Sequence, residues 1–117
     1  MQTAAIVLGL AALGGLALAT IRLNGTPRPP TWMAIGHGIV AASGLILLGY
    51  AAATDGIPQL AQIALGVLVL AAAGGATIFF GFHMRQRPLP IPYVLGHGLI
   101  AITGFVLLLV AIFRGGL

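Results

Sequence analysis

The sequence has no cysteine, no lysine and no glutamate, and its one acidic residue is Asp55. Without cysteine there are no disulfides, no thiolate metal sites, no iron–sulfur ligation and no covalent c-type haem attachment. No nucleophile–base pair, phosphate loop or hydrolytic cluster can be assembled from what remains, so hydrolase chemistry has no residues to carry it. Charged residues make up only 5% of the 117 residues, whereas about a quarter of a soluble domain is charged. The basic residues are Arg22, Arg28, Arg85, Arg87 and Arg114. Five arginines at helix ends do not make a nucleic-acid surface, which needs a clustered basic face for phosphate contact, so no nucleic-acid partner is expected.

What is abundant is hydrocarbon. Hydrophobic residues reach 60%, too many to sit beneath a water-facing polar surface, so the expected solvent is the lipid bilayer. A hydrocarbon core of ~30 Å needs about 20 apolar helical residues. Four stretches qualify, at about 3–23, 31–53, 58–84 and 91–113. They are separated by Asn24-Gly25-Thr26-Pro27-Arg28-Pro29-Pro30, by Thr54-Asp55-Gly56-Ile57-Pro58 and by Arg85-Gln86-Arg87-Pro88-Leu89-Pro90. These are turn-forming sequences, with proline suited to a helix start. The N-terminus shows neither a basic n-region nor a clear cleavage site, so the first segment is expected to remain as a helix. The expectation is an all-α integral membrane protein, a four-helix transmembrane bundle with no soluble domain. Arg22, Arg28, Arg85 and Arg87 all fall on the side of the first and third connections. The positive-inside rule puts that side in the cytoplasm and both termini outside, with a bacterial inner membrane as the expected location.

The two halves of the chain match at a constant offset of sixty residues. Ala11-Ala12-Leu13-Gly14-Gly15 pairs with Ala71-Ala72-Ala73-Gly74-Gly75, and Gly36-His37-Gly38 with Gly96-His97-Gly98. Ala41, Ser43, Gly44, Leu47 and Leu48 pair with Ala101, Thr103, Gly104, Leu107 and Leu108. The chain thus reads as one domain over 1–117, made of two helical-hairpin repeats at about 1–57 and 58–117. Each repeat has two helices, so the second re-enters with the orientation of the first. The expected relation is a parallel repeat about a pseudo-two-fold axis along the membrane normal. His37 and His97 are then level with each other.

An ionisable side chain inside a membrane span is costly and signals function or a specific partner. His37 lies seven residues beyond Pro30, ~10 Å along a helix, and His97 lies equally far beyond Pro90. Glycine flanks both, although each glycine costs a helix interior roughly 1 kcal/mol. One turn on are Ala41 and Ala101, followed by Gly44 and Gly104, so each histidine heads a stripe of small residues. Two opposed imidazoles at one depth, with backbone cleared around them, suit a bis-histidine haem. Arg22, Arg28, Arg85 and Arg87, nearer the interface, are candidate partners for haem propionates. His83 has Leu23 as its repeat equivalent; it is read as a helix C-terminal histidine favoured by the dipole, or as a contact to a propionate or quinone headgroup.

In its four-helix architecture and its two Gly-His-Gly segments the sequence resembles the membrane cytochromes b, including small bacterial four-helix forms. The resemblance implies a b-type haem held between His37 and His97, and electron relay to or from a quinone or another redox partner. Members of that group are generally longer and carry more histidines, so at most one haem per chain is expected here.

Two other readings compete. Small-residue stripes drive close helix packing without any ligand, which would make this a cofactor-free accessory subunit of a larger membrane complex. Alternatively Met33, four residues before His37, could share a copper(I) ion with it, though Tyr93 stands at the equivalent place in the second half. Small four-helix multidrug exporters use a membrane-embedded glutamate, which this chain lacks. Gly14-Gly15 and Gly74-Gly75 suit either internal packing or a homo-oligomer seam.

Overall fold

The computed structural model describes residues 1–115. Within them are four α-helices and no strand: α1 Gln2–Leu23, α2 Thr31–Thr54, α3 Gln59–Ile78 and α4 Ile91–Gly115. One π-helical turn, Phe79–His83, continues α3. Counting that turn, all four helices are long and apolar enough to cross a membrane. The bundle measures 43 × 21 × 18 Å, about one helix length by two helix diameters.

The helix limits follow from backbone chemistry. Proline stands immediately before α2, α3 and α4, at Pro30, Pro58 and Pro90, where its fixed φ and missing N–H cost nothing. The carbonyls of Pro30, Pro58 and Pro90 accept the first i+4 bonds, from the N–H groups of Ala34, Gln62 and Val94. Gly25 and Gly56, at φ 107° and 74°, take the left-handed turns after α1 and α2.

The helices pack as two hairpins, α1 on α2 and α3 on α4, joined by α1–α4 and α2–α3 contacts. The larger core lies at the end bearing the N-terminus. Ala4, Ala5, Ala61, Ala64 and Ala111 bring the backbones close there, and Leu8, Leu48, Leu68 and Leu108 fill the space between them. The outward faces are apolar too: Ile6, Leu13, Ile46, Val69 and Leu99 are exposed. A helix hydrophobic all round fits a lipid solvent.

The arginine-rich end is tied together differently. The Leu89 N–H donates to the Pro27 carbonyl at 3.1 Å, joining the first connection to the third. Arg22 Nε donates to the Leu89 carbonyl at 2.8 Å, pinning the end of α1 to the same strap. Ile78, Leu89 and Val94 form a small second core beneath it.

One element departs from the sequence reading, which took the third helix to about Met84 as uniform α-helix. Over Phe79–His83 the ladder shifts to i→i−5, as in the 2.8 Å bond from the Met84 N–H to the Phe79 carbonyl. The wider turn stacks the His83 ring on Phe79, with centroids 5.3 Å apart and 18° between planes.

Candidate functional site

His37 on α2 and His97 on α4 meet near the bundle centre. Their ring centroids are 6.3 Å apart and their planes 85° apart. Each ring is anchored within its own hairpin. Nδ1 of His37 bonds the Ala11 carbonyl on α1, and Nδ1 of His97 bonds the Ala71 carbonyl on α3, both at 2.8 Å. A carbonyl can only accept, so each Nδ1 carries the proton. In a neutral ring Nε2 is then left with a lone pair. Neither Nε2 makes a hydrogen bond among the described residues, and neither is a sealed, unpartnered atom.

The seat for each ring is a glycine on the facing helix. A Cβ at Gly15 would lie 2.9 Å from Cε1 of His37, and one at Gly75 would lie 2.9 Å from Cε1 of His97. At Gly14 and Gly74 the same atom would stand 3.7 and 3.8 Å from Nδ1, an ordinary contact. The sequence reading placed the clearance at the flanking glycines and left the Gly-Gly pairs without a settled role. Ala11, Gly15, Ala71 and Gly75 are the site residues it missed. The signal was present, because the Gly-Gly doublets recur at the histidine offset, but the contact is made through space.

The flanking glycines border open room: nothing lies within 4 Å of a Cβ placed at Gly36, Gly38, Gly96 or Gly98. Further along the stripe the space is taken. A Cβ at Gly44 would meet Leu8 Cγ at 2.6 Å, and one at Gly104 would meet Leu68 Cγ at 2.7 Å. Gly44 and Gly104 therefore receive leucines from α1 and α3, while Ala41 and Ala101 are half-buried above them. A groove of about 290 Å³ runs beside His97 on the α3–α4 side, bordered by Ala71, Gly74, Thr77, Tyr93 and Gly96.

The remaining candidates lie towards the arginine-rich end. Arg22 is half-buried and engaged with the Leu89 carbonyl, whereas Arg28, Arg85 and Arg87 are exposed. His83 closes the last turn of the third helix, where it is only 3% exposed, and its Nε2 shares a 3.0 Å hydrogen bond with Thr31 Oγ1 at the start of α2. Met33 lies half-buried one turn before His37.

Metal-bound histidines commonly donate their other ring N–H to a carbonyl, as both Nδ1 atoms do here. Among the described residues no three His, Cys, Asp or Glu side chains gather at one point. No family model matches the chain, and no curated protein or solved structure shows significant similarity to it.

Proposed function

We propose that the chain is an integral membrane b-type haem protein that relays electrons, in which Nε2 of His37 and Nε2 of His97 would hold one haem per chain. The observation carrying this reading is the pair of facing imidazoles whose Nδ1 protons are committed to the Ala11 and Ala71 carbonyls. Helix packing uses only the Nδ1 side of each ring. It leaves two unemployed Nε2 bases in apolar surroundings, which a Lewis acid between them would employ.

The chain's own part is to hold the donors in one tautomer, to fix their separation through the Gly15 and Gly75 seats, and to surround them with hydrocarbon. When bound, the haem supplies one-electron redox chemistry at a potential set by its ligands and the local dielectric. A membrane quinone or a redox protein is the proposed partner. The chain lies in a bacterial inner membrane in this reading, with the arginine-rich connections cytoplasmic and both termini outside, as the arginine bias favours. Two hairpin repeats about an axis along the membrane normal are part of the proposal. Contacts recurring at the sixty-residue offset support them: His37 on Ala11 and His97 on Ala71, Leu8 at Gly44 and Leu68 at Gly104.

A second reading keeps the same geometry without a ligand. Every buried side-chain nitrogen and oxygen among the described residues has a partner, so the bundle is complete as a packing unit of a larger complex. Haem titration of the detergent-purified protein separates the two. The haem reading expects saturation at one haem per chain, with binding lost in His37→Ala and in His97→Ala alike. The packing reading expects no saturable binding in the parent chain.

A further inference from the structure

We propose that the arginine-rich end is a seat for the headgroup of an anionic phospholipid. Arg22, Arg28, Arg85 and Arg87 lie at one end of the bundle, and the chain's one acidic side chain, Asp55, lies in the turn after α2 at the opposite end. These four guanidinium groups therefore have no carboxylate side chain to neutralise them. They are also not on independent loops. The 3.1 Å bond from the Leu89 N–H to the Pro27 carbonyl holds the third connection against the first. That contact brings the segment carrying Arg87 beside the segment carrying Arg28. The Arg22–Leu89 bond fixes the third connection to the end of α1, and the His83–Thr31 bond joins the end of the third helix to the start of α2. Gln86, between Arg85 and Arg87, adopts the left-handed φ of 56°, so the third connection turns sharply at its charged residues.

Four unneutralised arginines on joined connections at the end of apolar helices meet the headgroup layer, where each gains about five-fold in attraction for anionic lipid. Guanidinium groups also match phosphate oxygens in bidentate fashion. A zwitterionic headgroup offers the same phosphate with its charge cancelled, so the seat discriminates by net charge.

The test titrates the full chain in detergent with phosphatidylglycerol or phosphatidylcholine and counts retained lipid by native mass spectrometry. Selective retention of phosphatidylglycerol is expected. The double variant R28Q/R87Q should weaken that retention about thirty-fold, R28K/R87K should weaken it less because it keeps the charge and loses only the bidentate fork, and R114Q at the opposite end should leave it unchanged. An unchanged melting temperature of R28Q/R87Q in phosphatidylcholine micelles certifies that the variant is folded. Equal retention of the two lipids would overturn the proposal. So would equal losses in R114Q and R28Q/R87Q, or displacement of phosphatidylglycerol by inorganic phosphate at a similar concentration, which would mean a free-anion site.

Discussion

Glycine is used in three ways around the histidines, and each use has its own consequence. At Gly15 and Gly75 the missing Cβ admits an imidazole, since a methyl would stand 2.9 Å from Cε1. Gly15→Ala should therefore push His37 off the Ala11 carbonyl and cost about 1–3 kcal/mol as an overpacked site. Gly14→Ala, with 3.7 Å available, should be neutral or gain up to ~1 kcal/mol in helix propensity. Thermal unfolding in detergent ranks the two variants. At Gly44 and Gly104 the space is taken by a leucine, so alanine there should be as costly as at Gly15. At Gly36 and Gly38 nothing is near, and Gly38→Leu should leave the melting temperature of the haem-free protein within the small range typical of surface changes, about ±0.5 kcal/mol. The same variant should block haem uptake. A stable Gly38→Leu that still binds haem normally would show that this open space is not the porphyrin's. The sequence displayed the flanking glycines because they are covalent neighbours of the histidines. It marked the seat only as Gly-Gly doublets recurring at the histidine offset, because Ala11 and Gly15 reach His37 only once α1 and α2 are paired.

The helices themselves were legible almost to the residue. Runs of about 20 apolar residues between proline- and glycine-rich connections leave little choice in a chain this poor in charge. The structure moves α1 and α2 by one residue at one end each and carries α4 two residues beyond Phe113. The π turn was not legible. Phe79-Phe80-Gly81-Phe82-His83 has the composition of any membrane helix, and nothing in that composition marks a shift to i→i−5 bonding. Outside the segment His83 bonds Thr31, and within it the His83 ring stacks on Phe79. A double-mutant cycle on Thr31→Val and His83→Ala should give a coupling near 0.6 kcal/mol and not above about 1.7 kcal/mol, the range for polar pairs between membrane helices. A coupling of zero would mean the bond contributes nothing to joining α3 to α2.

For the whole molecule, the account rests on orientation and on what the central pair holds. The chain lacks cysteine, so single cysteines can be introduced without background. A cysteine at Gln86 in the arginine-rich third connection should react with an impermeant maleimide only after the cells are opened. One at Gly56, in the turn after α2, should react in intact cells. The reverse pattern would invert the proposed topology without touching the haem reading. That reading is tested most directly by absorption spectra of the detergent-purified protein, oxidised and then reduced with dithionite, after expression with haem supplied. The account predicts a sharp Soret band and split visible bands on reduction, the signature of low-spin six-coordinate iron, absent from His37→Ala and His97→Ala. A featureless spectrum from the folded parent chain, unchanged when haem is added back, would contradict it and leave the two imidazoles as a packing device between paired helices.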